Sequence, residues 1–116
     1  MSKIHELGHK GERIAQSFLK KKNYTILQTN WRWQKAEIDI IAKNENCIVF
    51  IEVKTRSTTR FGKPSEFVSM KKIELMKDAA EAYLEVFKLE NEIRFDIISI
   101  VINSDTQKIE HLINII

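Results

Sequence analysis

A single cysteine, Cys47, means that no disulfide forms within the chain and that no second cysteine is there to share a zinc ion. Proline occurs once and glycine three times in 116 residues, which excludes a collagenous chain. Charged residues make up 30% beside 43% hydrophobic ones, a balance that also excludes a disordered tail. No apolar run approaches the roughly 20 residues that span a bilayer. The longest, Asp96-Ile-Ile-Ser-Ile-Val-Ile102, is far shorter. Met1-Ser-Lys-Ile-His-Glu6 is polar where the apolar core of a signal peptide would begin. These absences predict one cytoplasmic domain over residues 1–116, without a membrane partner.

What is present is charge, unevenly spread. The net charge of +3 and the pI near 9.0 point only weakly to nucleic acid. The segment from Lys54 to Lys72 is more telling, with Lys54, Arg56, Arg60, Lys63, Lys71 and Lys72 opposed by Glu66 alone. From Asp78 to Glu92 the balance reverses, with Asp78, Glu81, Glu85, Glu90 and Glu92 against Lys88. Two solvated charged faces are the plainer explanation, and a surface for a polyanion is the other.

Apolar spacing predicts a helix from about His5 to Lys22, carrying Leu7, Ile14, Ala15, Phe18 and Leu19 at a 3.6-residue period and stopping at Asn23. Gly8 and Gly11 weaken its first turns, so that end either frays or lets something approach the backbone closely. Strands follow at Tyr24–Trp31, Glu37–Lys43 and Cys47–Thr55, then a loop at Thr58–Ser65 with Gly62 and Pro64. A second helix runs from the N-cap Ser69 to Phe87, with a broad apolar stripe suited to a sheet. Ile93–Asn103 is apolar on both faces, as in an interior strand, and Lys108–Ile115 closes the chain. The fold class is α/β: an αβββαββ sandwich with a central mixed sheet flanked by helices.

The informative residues break this pattern. Glu52 and Lys54 share a face at the end of a strongly apolar strand, and Glu37 and Asp39 interrupt the strand before it. An unpaired buried carboxylate costs several kcal/mol, so such residues need a partner or a metal. A four-residue connection from Asn44 to Cys47 faces Lys43 with Ile48 and sets Asp39 directly opposite Glu52. Their Cβ atoms are then roughly 4.5–5.5 Å apart. Two carboxylates that close repel unless a cation or a proton lies between them. A hard divalent ion, Mg²⁺ or Mn²⁺, takes such oxygen ligands. Lys54 beside it either positions a water and stabilises a phosphate, or simply pairs with Glu52 or Asp39. Glu12 shares the inner edge of the first helix with Ala15 and Leu19, with Gln16 one turn on.

An acid on an N-terminal helix, an Asp in the second strand and Glu-x-Lys in the third resemble the PD-(D/E)XK endonuclease superfamily. The whole chain resembles more closely the YraN family of small bacterial proteins, similar in fold to the archaeal Holliday junction resolvases. Gly11-Glu-Arg-Ile-Ala15, Asn30-Trp-Arg32, Glu37-Ile-Asp-Ile-Ile-Ala42, Phe50-Ile-Glu-Val-Lys-Thr-Arg56 and Arg94-Phe-Asp96 carry the likeness. The resemblance implies a restriction-endonuclease-like fold with Asp39, Glu52 and the backbone carbonyl of Val53 as ligands to Mg²⁺ or Mn²⁺. It makes Lys54 the catalytic lysine and Glu12 an outer helper to a metal-bound water.

Around these, Arg56, Arg60, Lys63, Lys71 and Lys72 are candidate phosphate contacts, for Lys72 no more than for plain surface charge. Arg32 joins them, flanked by Trp31 and Trp33, which either stack on exposed bases or pack within the protein. His5, His9 and His111 show no ligand spacing, and Asp96 reads as the structural partner of Arg94. Two functions are expected from the whole. One is a divalent-metal-dependent endonuclease on DNA, branched substrates included, working as a homodimer. The alternative is a nucleic-acid-binding module without chemistry in DNA repair, recombination or uptake.

Overall fold

Helix α1 (Lys3–Lys21) ends where Asn23 adopts the left-handed conformation, φ 68°, and the Tyr24 amide turns back to the Leu19 carbonyl at 3.0 Å. Asn tolerates that conformation better than most residues, which is why the helix stops there. The computed structural model describes residues 3–57 and 69–116, with side chains from residue 6 onward. The expected loop, with Arg60 and Lys63, lies outside the described residues.

Strands β1 (Thr25–Trp33), β2 (Ala36–Asn44) and β3 (Cys47–Arg56) follow as an antiparallel meander. Helix α2 (Met70–Val86) crosses over to β4 (Glu92–Ile102), parallel to β3, and β5 (Gln107–Leu112) returns antiparallel. One mixed sheet results, ordered β1-β2-β3-β4-β5. The αβββαββ order is the expected one. Strand β1 runs two residues further than its composition indicated, to Trp33. Strand β5 ends earlier, at Leu112, because the chain beyond it turns to hydrogen-bond the start of β4.

Each helix covers one sheet face. Ala15 and Leu19 of α1 pack with Tyr24, Ile40, Ala42, Val49, Ile51, Ile98 and Ile100. Met76, Ala79, Ala80 and Tyr83 of α2 pack with Ala36, Ile38, Ile41, Ile48, Phe50 and Phe95. Strands β2, β3 and β4 are thus apolar on both faces, as strands between two helical layers must be. Ser69 caps α2 as expected, its hydroxyl accepting from the Lys72 amide at 3.1 Å.

The fold positions the site through an irregularity in β2. Simple alternation would put Ile38 and Ile40 on one face, yet Ile38 packs on the α2 side and Ile40 on the α1 side. The strand changes faces at Asp39, between them.

Candidate functional site

The β2–β3 hairpin has the register expected from its sequence. Lys43 faces Ile48, Asn44 faces Cys47, and Glu45 takes the left-handed conformation in a two-residue turn. The paired ladder ends at Ile40 and Ile51, one step before Asp39 and Glu52. There the Asp39 carboxylate does what a backbone carbonyl would have done, and the Val53 amide donates to its Oδ2 at 2.8 Å. In an extended strand the N–H and C=O of one residue face the same neighbour. The Val53 carbonyl therefore faces the side where β2 has left the ladder.

Glu52 is buried, with 6% of its surface exposed. Its Oε1 lies 2.6 Å from the Lys72 ammonium and 3.4 Å from that of Lys54. Glu12, half-buried on α1, comes near enough to act on Asp39 through its charge. Burial pushes the Asp39 carboxyl up to about 7, and the negative charges of Glu52 and Glu12 push the same way. The Val53 amide and the Lys72 ammonium oppose them and do not prevail. Asp39 and Glu52 thus meet at the end of the hairpin in a partly dehydrated place, with Lys72 and Lys54 on Glu52 and the charge of Glu12 felt from α1.

Among the described residues no three His, Cys, Asp or Glu side chains stand together as a complete metal cage. The donors at hand are two carboxylates across the hairpin end and a backbone carbonyl. That set suits Mg²⁺ or Mn²⁺, since Mg²⁺ binds through one or two carboxylates and keeps several waters. The raised Asp39 carboxyl supports the fit, because a carboxylate held against its own charge gains most from a cation.

The remaining expected residues distribute unevenly. Lys72 is turned into the site, paired with Glu52, because the first turns of α2 lie beside the start of β2, within reach of the hairpin end. Arg32 is largely exposed and pairs with Glu37 at 3.0 Å. Arg56, half-buried, closes β3 opposite Val101. Sequence reasoning passed over Lys10, Arg13 and Lys21, which line a groove of about 430 Å³ between α1 and β5 with Ser17 and Phe18. Their common helical face was the available signal.

Asp96 is fully buried and more elaborately held than a single arginine predicts. Arg94 Nε and Nη2 each donate to it at 2.9 Å, and the Asn114 amide donates at 2.9 Å. His111 Nε2 lies 2.7 Å from it. The Lys22 ammonium lies 3.1 Å from His111 Nδ1, on the other side of the ring from Asp96. Burial alone would raise the Asp96 carboxyl; the bonds from His111, Arg94 and Asn114 outweigh it and hold it below the usual carboxylate range.

A family model described as Uncharacterised protein family UPF0102 matches residues 11–100. A UPF0102 protein of Christiangramia forsetii is 49% identical over 112 residues, covering 97% of this chain and 94% of that one. One of Flavobacterium psychrophilum is 50% identical over 96% of this chain and 93% of its own. One of Bacteroides thetaiotaomicron is 40% identical over 97% and 93%. No helix among the described residues is long and apolar enough to cross a membrane.

Proposed function

The chain belongs to the uncharacterised protein family UPF0102, and from that premise we propose that it is a divalent-metal-dependent endonuclease. Its substrate is DNA, branched molecules in the manner of Holliday junction resolvases included, and a symmetric pair of chains would serve to cut two strands. The observation that carries this reading is the end of the β2–β3 hairpin, where the Val53 amide holds the Asp39 carboxylate beside buried Glu52 and burial, with the charge of Glu52, pushes the Asp39 carboxyl up to about 7.

Asp39, Glu52 and the Val53 carbonyl would hold Mg²⁺ or Mn²⁺. When bound, such an ion supplies Lewis-acid polarisation of a phosphodiester and lowers the pKa of water. Asp39 must lose its proton to serve as a ligand, and its raised pKa makes that loss dependent on pH. The Lys54 ammonium, on the same strand face as Glu52, holds the attacking water in line and offsets the negative charge that gathers on the phosphate. Glu12 accepts a hydrogen bond from a water beside the site. Lys72, which pairs with Glu52 at 2.6 Å, would be placed to offer its charge to a phosphate oxygen with a cation held by Glu52.

The test is calorimetric titration of Mn²⁺ into wild-type protein and Asp39→Ala, followed by cleavage assays on branched and linear DNA. Binding lost in the variant, and cleavage lost in both Asp39→Ala and Lys54→Ala, is the expected result. Cleavage that survives either substitution in a clean preparation rejects the mechanism. One observation favours a second reading, a DNA-binding module without chemistry: the Lys72–Glu52 pair already neutralises one carboxylate at 2.6 Å. In such a module EDTA leaves every activity unchanged.

A further inference from the structure

Trp31 packs against the α2-side core, and Trp33 extends that aromatic surface outward. Trp31 is half-buried and fixed edge-on against Tyr83 of α2, with ring centres 5.3 Å apart and planes at 89°. Trp33 lies parallel to it, with planes 5° apart and centres 6.4 Å apart, and is 36% exposed. Trp33 thus keeps part of a flat ring open to water while its partner is fixed in place.

What it meets follows from where it stands. Trp31 and Trp33 face Ile38 and Ala36 across the β1–β2 ladder, directly before Asp39. Ala36 also lines a cleft of about 360 Å³, on the same sheet face as the indoles, with Leu75 and Met76 as its other apolar lining. Lys35, Lys71 and Lys72 supply the cleft's cations, and its one acid, Glu37, is paired with Arg32 at 3.0 Å. Lys72 reaches from this cleft to Glu52, so cleft and hairpin site share a side chain. A flat exposed ring, a partly apolar cleft large enough for one small ligand and a cationic rim match a nucleotide: base, sugar and phosphate. Within a duplex the faces of a base are already stacked, so only an unpaired base has a face free for an indole.

We propose that Trp33 and the adjoining cleft seat an unpaired nucleotide next to the scissile phosphate, so that the preferred substrate carries single-stranded character beside the bond to be cut. The assignment rests on the hairpin site being where the phosphodiester is hydrolysed. Trp33 supplies the stacking face, Trp31 holds Trp33 in place, and Lys35 and Lys71 take the phosphate.

The experiment compares two DNA probes, a fully paired duplex and the same duplex with an unpaired tail carrying 2-aminopurine. Binding is followed by fluorescence in Ca²⁺ for wild type, Trp33→Ala and Trp33→Phe. Wild type is expected to prefer the tailed probe about tenfold, a preference lost in Trp33→Ala and largely regained in Trp33→Phe. Equal affinity of wild type for both probes overturns the proposal, as does a preference that persists in Trp33→Ala. Loss of a protein dimer in Trp33→Ala with unchanged DNA binding also overturns it, in favour of self-association. Mn²⁺ titration of the same preparations reads the hairpin site separately. Absent metal binding in wild type counts against cleavage, and absent tail preference counts against the seat.

Discussion

Gly11 of α1 meets Thr55 of β3 so closely that a Cβ built on Gly11 would fall 1.8 Å from the Thr55 hydroxyl oxygen. The next residue is Glu12, so this contact sets how near the helix brings its carboxylate to Asp39.

Gly11→Ala should therefore destabilise the protein, although alanine is the better helix former. Overpacking costs about 1–3 kcal/mol, against about 1 kcal/mol of helix propensity gained. Gly8→Ala meets nothing within 4 Å and should stabilise by roughly 0.5–1 kcal/mol. Urea unfolding of the two variants checks the opposite signs. Equal effects would mean that the helix does not press on β3.

Asp39 has a folded pKa of about 7 against an ordinary 3.8. A raised folded pKa contributes stability that is complete below the unfolded value and is lost as pH rises through about 7. Asp39→Asn, always neutral, should flatten the pH profile between these limits and gain about 1–2 kcal/mol at pH 8, allowing for partial solvent screening. Mn²⁺ affinity of the wild type should rise about tenfold per pH unit up to pH 7 and level off above it. Denaturation curves and calorimetry across this range decide both.

Lys54 and Lys72 touch the same oxygen of Glu52 and should nevertheless separate by function. Lys72→Met removes the ammonium that a cation must displace and should tighten Mn²⁺ binding on the order of tenfold. Lys54→Ala should leave Mn²⁺ affinity within about threefold while lowering cleavage by roughly a hundredfold or more. A Lys72→Met protein that binds Mn²⁺ more weakly would show that the ammonium supports the site instead.

Asp96→Asn strands Arg94 without its counter-charge and should cost about 3–5 kcal/mol. In the wild type the lowered Asp96 carboxyl contributes stability present above the ordinary Asp range and lost as pH falls through its folded value. The part of the acid limb that Asp96 contributes should therefore be lost in the variant.

Much of this was legible because it is local. Asp39 and Glu52 are joined by a short hairpin, and alternation allows one register that buries Ile40, Ile48, Phe50 and Ile51 together. The change of face at Asp39 was not legible, since strand periodicity presumes a regular pleat. Nor was the approach of Lys72, which depends on where α2 lands after its crossover. For Asp96 only Arg94, two residues away on the same face, announced itself. His111 and Asn114 are brought by the return of β5, although a buried acid in an apolar strand already called for more than one donor. Gly11 left two meanings open, and Thr55 decides between them.

The donors to Asp96 have a temporal consequence. His111 and Asn114 leave the ribosome only after β4, which carries the charge they help to satisfy. The Ile115 amide adds a bond to the Phe95 carbonyl at 2.8 Å in the same late segment. Until this segment is made, Asp96 has Arg94 beside it but not the two bonds that complete its shell. A chain cut short before that segment would keep Arg94 on Asp96 but lose the His111 and Asn114 bonds, leaving a buried charge only partly compensated.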